Sequence, residues 1–283
     1  MEELLVDDSE LSAIRVRPTL RQYFVGVWQR RHFVLFEARA KSLDLGRDTF
    51  LGRWWLLLNP LLQLAVYLLV FGVILQTSRG IENFVGFLVI GVSFFGFFSQ
   101  AINQSAGLLQ RSRIMVVSYE FPKLTLPISL VLRQLIDNII PALVAIGVAL
   151  VAQKGQHLSW VIVLVVPLYI LFHFFILGCT FFICRWSAFV PDVKQIVPVV
   201  TRGLFFLSGI FYDLDRFDSH PVIRETMMLN PVYQFLTALR SVVLYGELPS
   251  QFCLVFIVSI TTLVATIGAI YFWRAEDRYA SVR

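Results

Sequence analysis

A run of 21 residues from Trp55 to Leu75, WLLLNPLLQLAVYLLVFGVIL, contains no charged side chain. That is the helical length needed to cross a hydrocarbon core about 30 Å thick, so the chain reads first as a membrane protein. Arg53 and the Trp54–Trp55 pair open the run as an interfacial anchor, because an indole ring shares its body with acyl chains and its N–H with headgroups. Asn59 and Pro60 follow as a candidate kink, since a proline leaves a carbonyl one turn back without its donor. Two readings stay open here: an ordinary first span that tolerates proline, or a bent helix bordering a pathway.

The rest of the chain has the same character. Hydrophobic residues make up 57% and charged residues 15%, far from the balance of a soluble domain. The net charge of +5 sits beside apolar spans, which assigns it to orientation and anionic lipid and argues against a nucleic-acid partner. Cys179, Cys184 and Cys253 all fall inside apolar segments and read as small buried hydrophobes.

The pattern predicts an all-α integral membrane protein. Residues 1–51 form a polar tail and an amphipathic interface helix over Leu20–Leu45, its Tyr23, Val27, Val34 and Leu35 interleaved with Arg21, Arg30, Arg31, Arg39 and Lys41. Residues 52–273 carry six spans, at about 55–75, 84–109, 128–152, 160–184, 195–212 and 252–273. Residues 274–283 are a charged tail. Pro141 predicts a kink in the third span, and Arg133 and Asp137 lie one turn apart on it, positioned to pair. Between the fifth and sixth spans, residues 221–246 are half apolar but broken by Arg224, Glu225, Pro231 and Arg240. Two short re-entrant half-helices split at Asn230–Pro231 fit that stretch, covered by protein or water. Seventeen Lys and Arg flank one side of such a layout and five the other, which places both termini in the cytoplasm.

Chemistry-bearing groups are sparse. His32, His157, His173 and His220 are scattered, and His173 reads as a satisfied core histidine. Asp213, Asp215, Asp218 and His220 read as a solvated turn, with no metal implied. No G-x-x-x-x-G-K-[ST] loop occurs, so the chain does not bind ATP by that device. Arg202 has no acid on its own helix and needs a neighbour's acceptor or an aqueous pathway. Of the aromatic side chains, Tyr67 and Phe71 share one face of the first span, Phe94 and Phe98 one face of the second, and Phe205 sits on the fifth. Packing against lipid and neighbours accounts for most such rings, yet a stripe along a conduit would let sugars slide on their C–H faces.

The order of parts is specific. An interface helix, L-G-x-x-W-x-x-L-x-P at Leu51–Pro60, a charge-rich segment 111–127 and a second L-N-P at Leu229–Pro231 resemble the type-2 ABC exporter permeases of the Wzm family. These export lipid-linked polysaccharide of the O-antigen, teichoic acid or galactan type. The resemblance runs from about residue 20 to 275. It implies a homodimeric pore in the bacterial inner membrane and two copies of a separate ATPase that holds ATP and Mg. In this chain it implies an ATPase-coupling segment at 111–121, with Arg111, Arg113, Met115, Tyr119, Glu120 and Phe121. It implies an outer gate at 221–246, with Arg224, Asn230, Pro231, Tyr233 and Arg240. Tyr67, Phe71, Phe94, Phe98, Arg202 and Phe205 are the channel candidates. An exporter of small hydrophobic molecules is the rival within the same fold, and a membrane enzyme acting on polyprenyl lipids the rival outside it.

Overall fold

Asn83 opens the central helix of the fold: its Oδ1 accepts the Gly86 N–H at 2.9 Å, while its Nδ2 donates to the Ala149 carbonyl at 3.1 Å. One side chain thus caps a helix start and ties it to the end of another. The computed structural model describes residues 19–32, 35–36, 55–74, 81, 83–118, 121–153, 159–214 and 220–281, and no strand occurs among them. In chain order the helices are α1 (Leu20–Gln29), α2 (Trp55–Tyr67), α3 (Phe84–Ser105), α4 (Leu108–Arg111), α5 (Arg113–Ser118), α6 (Thr125–Asp137) and α7 (Ile139–Ala152). They continue as α8 (Val165–Phe189), α9 (Val193–Leu207), α10 (Pro221–Met228), α11 (Pro231–Arg240) and α12 (Gln251–Trp273). π-helical turns extend α2 over Leu68–Ile74 and α11 over Ser241–Tyr245, and a 3-10 turn, Glu276–Ser281, follows α12.

α3 is apolar on nearly all sides and is correspondingly buried, packed by α2, α7, α8, α9 and α11. α8 and α12 pack closest of all. A Cβ on Gly178 would lie 2.7 Å from the Ala265 backbone nitrogen, and one on Gly268 2.7 Å from the Gly178 carbonyl oxygen. Small residues let the two backbones touch, the usual device where lipid offers no hydrophobic drive for helix association.

Among the described residues, four helical stretches are long and apolar enough to cross a membrane: Phe84–Ser105, Thr125–Ala152, Trp160–Phe189 and Gln251–Trp273. The first and fifth of the six expected spans are shorter as regular α-helix. α9 has 15 residues, about 22 Å at 1.5 Å per residue, and stops at Leu207, short of the expected end at Tyr212. Gly209 turns the chain there with a left-handed φ of 60°. The expected polar turn over 185–194 shrinks to three residues, 190–192, because α8 continues to Phe189. Its last turns keep packing on the end of α12 and on the 3-10 turn that follows it, with Phe182 stacked on Tyr271 and Phe189 on Tyr279.

The third span, Thr125–Ala152, loses its regular bonding at a single residue, Asn138. Pro141 has no N–H to give the Asp137 carbonyl, and the helix breaks at Asn138, where the expected kink becomes a turn between α6 and α7. α2 runs through positions 59 and 60 without interruption, and its winding changes only at Leu68. The side chains of Asn59 and Pro60 lie outside the described ones. α1 begins with a capping box in which Thr19 and Gln22 bond reciprocally.

Candidate functional site

A cavity of about 660 Å³ lies between α2, α3, the α6–α7 break and α9. Gln63 and Tyr67 line it from α2, and Ser93, Phe95, Phe97, Ser99, Gln100 and Asn103 from α3. Asp137, Asn138 and Pro141 come from the break, and Thr201, Arg202 and Phe205 from α9. In a chain this apolar, a concentration of amides, hydroxyls and rings on one wall is the notable chemical feature. Asn103 holds two walls together, donating to the Ser99 carbonyl at 2.7 Å and reaching Thr201 Oγ1 at 3.4 Å across the α3–α9 gap. Its Oδ1 and the Asn138 Nδ2 are buried without a protein partner. Arg133 and Asp137 form the expected i, i+4 pair at 3.2 Å, which leaves Arg202 as the exposed cation at the cavity.

The structure brings together three of the six channel candidates, Tyr67, Arg202 and Phe205, on the cavity wall. Phe71 lies behind them, stacked on Phe211 with ring centroids 3.7 Å apart, and Tyr67 sits 5.5 Å from both Phe205 and Phe211. Phe94 and Phe98 are elsewhere. They are 0% and 5% exposed and face α8, where Phe94 meets Tyr169 and Phe172 and Phe98 stacks on Phe175. The helical turn of about 100° per residue explains the separation: Phe95 and Ser99 face the cavity, and the residues one position earlier turn away. Phe95, Phe97 and Phe211 are the rings that sequence spacing missed, Phe95 and Phe97 on the cavity wall and Phe211 in the ring cluster beside it. Phe211 lies beyond the end of α9 and reaches the cluster only because the turn at Gly209 folds it back. His173 is buried with its Nδ1 2.9 Å from the Tyr169 carbonyl oxygen, away from the cavity.

A second constellation lies where α10 and α11 meet the end of α9. The pair of short helices expected over 221–246 is split at Leu229–Asn230. Asn230 caps α11 through the Val232 N–H at 3.0 Å, and its Nδ2 donates to the Ser208 hydroxyl at 3.1 Å. Pro231 occupies the first helical position, where a missing N–H costs nothing. Tyr233 is buried against the Gly209 turn, and Arg224 is exposed on α10. Arg240 is a correction to the sequence reading, which counted it with loop charges. It is 3% exposed, donates to the carbonyls of Gly209 and Phe87 at 2.9 and 3.1 Å, and lies 3.3 Å from the Phe87 ring centroid. Backbone carbonyls meet the two terminal nitrogens and a ring lies against the guanidinium face, while the buried Nε has no hydrogen-bond partner among the described residues.

The third constellation surrounds α5. Val116 is its buried anchor, with Met115 and Phe121 packed against the same cluster as Tyr23, Leu124, Phe272 and Tyr279. Ile114 and Val117 point outward, 83% and 55% exposed, beside exposed Arg113. Arg111 turns back and donates to the Ala106 and Gln104 carbonyls, capping the end of α3. Tyr119 and Glu120 lie outside the described residues. Arg30 of α1 approaches the Phe121 ring at 6.0 Å, so the first helix touches this segment.

Among known proteins, the chain is 25% identical over 239 residues to the O-antigen export system permease protein RfbA of Myxococcus xanthus, covering 84% of this chain and 87% of that protein. It is 24% identical over 247 residues to the polysialic acid transport protein KpsM of Escherichia coli, covering 82% and 89%. The RfbA permease of Klebsiella pneumoniae matches at 21% over 239 residues, covering 83% and 89%. The family profile for ABC-2 type transporters matches residues 38–244, a stretch that takes in the cavity walls, α5 and the split pair α10–α11. The apolar helices and that match converge: the chain belongs to the ABC-2 type transporter family, as a multi-pass membrane protein.

Proposed function

We propose that the chain is the transmembrane subunit of an ATP-driven exporter that moves a polyprenyl-diphosphate-linked polysaccharide from the cytoplasm across the bacterial inner membrane. The observation that carries this is the cavity wall. Amide and hydroxyl groups of Gln63, Ser93, Ser99, Gln100 and Asn103, with the rings of Tyr67 and Phe205, offer sugar hydroxyls and C–H faces many weak, interchangeable partners. A polymer can advance along such a wall because no single contact holds it. The relatives that transport O-antigen and polysialic acid support the same substrate class.

The working unit is a homodimer with two copies of a separate ATPase, which holds ATP and Mg. The cavity is flanked by α2 and α9, which expose Leu62, Val66, Leu69, Val199, Val200 and Phe206. A second copy set against these faces encloses the cavity into a conduit. α5 is the ATPase contact, with Ile114 and Val117 as apolar anchors and Arg113 in the charged rim. The chain spans six times with both termini cytoplasmic, and α10–α11 re-enter from outside as the gate. The meeting of Tyr23 and Glu276 at 2.5 Å supports one end of the bundle for both terminal segments.

The decisive measurement is ATP hydrolysis by the assembled complex with two kinds of addition, lipid-linked oligosaccharide and free hydrophobic drugs. Stimulation by the oligosaccharide alone is the expected result, and stimulation by the drugs alone would transfer the chain to the small-molecule exporters. Ser219→Cys and Ser281→Cys in a cysteine-depleted background should label from opposite sides of the membrane, and labelling of both from outside would overturn the orientation.

A further inference from the structure

Glu276 is an acid that helix packing does not require. It is 8% exposed, in the 3-10 turn that follows α12. One carboxylate oxygen accepts the Tyr23 hydroxyl at 2.5 Å, and the other accepts the Lys123 backbone N–H at 2.9 Å. The Tyr23 oxygen in turn accepts the Leu124 N–H at 3.1 Å. Three distant parts of the chain thus converge on one carboxylate: α1, the 121–124 turn that joins the α5 segment to α6, and the end of α12. Val116 of α5 packs in the same cluster, and Arg30 of α1 faces the Phe121 ring. An apolar residue at 276 would spare the cost of burying a charge, but only an acceptor can hold the Tyr23 hydroxyl and the Lys123 N–H in fixed geometry.

We propose that Glu276 is a positioning residue of the transport cycle, which locks the segment bearing Ile114 and Val117 to α1 and α12 so that the three move as one body. This rests on α5 being the ATPase contact. A displacement of α5 then reaches the first and last helices through hydrogen-bonded backbone at Lys123 and Leu124. Without the carboxylate, α5 keeps its outward face and its Val116 anchor, so docking survives while the push is lost in the 121–124 turn.

The test uses the full chain co-produced with its ATPase subunit and reads three quantities: assembled complex, ATP hydrolysed per complex, and polymer exported per ATP. Glu276→Ala should assemble with the ATPase while export per ATP falls about tenfold, within the range of coupling between linked sites. Glu276→Gln, which keeps one acceptor and the volume, should restore most of it. Wild-type export per ATP in Glu276→Ala overturns the proposal, as does a loss confined to the amount of complex in both variants. If Glu276→Ala does not accumulate, Tyr23→Phe decides, because it removes one hydroxyl and keeps the buried ring. Unchanged export per ATP in Tyr23→Phe overturns the proposal, and a several-fold fall in normally assembled complex supports it. Failure of the underlying docking assignment is visible separately: Ile114→Asp with Val117→Asp would then leave assembly intact, whatever the Glu276 variants do.

Discussion

The Arg240 guanidinium donates to the Gly209 carbonyl at 2.9 Å, joining the end of α11 to the one left-handed residue that terminates α9. The same side chain reaches the Phe87 carbonyl of α3 at 3.1 Å. The split helices are therefore pinned to the wall of the bundle at one end, while Asn230 pins them to Ser208 at the other. Arg240→Met removes the donors and leaves the buried Gly209 carbonyl without this partner, which should destabilise the fold by about 1–3 kcal/mol. Arg240→Lys should recover only part, since an ammonium cannot reproduce the planar fork or stack as well on Phe87. Thermal unfolding in detergent checks both, and equal melting temperatures for Met and wild type would refute the pin.

The rings divide into two groups with different expected phenotypes. Tyr67→Leu and Phe205→Leu alter the cavity wall and should lower export per folded transporter about fivefold each, the equivalent of roughly 1 kcal/mol of stacking. Phe94→Leu alters buried contacts with α8 and with Phe97 but puts no change on the cavity wall itself, and should cost stability of about 1 kcal/mol with export per folded protein unchanged. The comparison is made at equal membrane content. An equal fall in all three variants would place the polymer contact elsewhere.

Ile114→Asp together with Val117→Asp puts charge on the exposed face of α5 without touching Val116. Binding of the ATPase should weaken by about tenfold or more, the loss typical of apolar anchors at an interface. Co-purification titrated against ATPase concentration measures it. Arg111→Ala is the control, since Arg111 caps α3 from inside the chain and its loss should affect stability more than docking.

At Gly178 a Cβ would lie 2.7 Å from backbone atoms of α12, which no rotamer change can relieve. Gly178→Leu should force α8 and α12 apart and lower stability by about 3 kcal/mol, seen as loss of monodisperse protein. Gly147→Ala, on α7 with open space around it, should be tolerated.

Burial pushes the Glu276 carboxyl above its ordinary 4.5, opposed by the Lys123 N–H, the Tyr23 hydroxyl and the Lys123 charge, with Asp277 adding to the rise. The folded state therefore holds a proton more tightly than the unfolded chain. Its contribution is fully present below pH 4.5 and is lost as pH rises through the raised value. Wild type should gain melting temperature relative to Glu276→Gln as pH falls through that window. A difference that is flat with pH would show that Glu276 titrates normally.

Membrane residence, helix content and the breaks at Asn138 and Asn230 are written locally: long uncharged runs must satisfy their backbone internally, and Pro141 and Pro231 withhold an N–H from that bonding, although Pro60 and Pro198 sit inside helices that continue. The Arg133–Asp137 pair was legible for the same reason, since one helical turn decides it. Which face of a helix is buried is not a local property here. In a soluble protein polar residues mark the outward face, but lipid is as apolar as the core, so Phe94 and Phe95 carry the same sequence signal although only Phe95 reaches the cavity. The burial of Arg240 and Glu276 was not legible because their partners are far along the chain, the Gly209 carbonyl 31 positions from Arg240 and the Lys123 N–H and Tyr23 hydroxyl 153 and 253 positions from Glu276, and only the tertiary structure brings them within hydrogen-bonding distance. Sequence alone determined that this chain lives in a membrane, that the third span is interrupted near Pro141 and that the pair α10–α11 is split at Asn230. The packing decided which polar and aromatic groups share a wall, because that depends on helix rotation and on turns that return the chain to a neighbour.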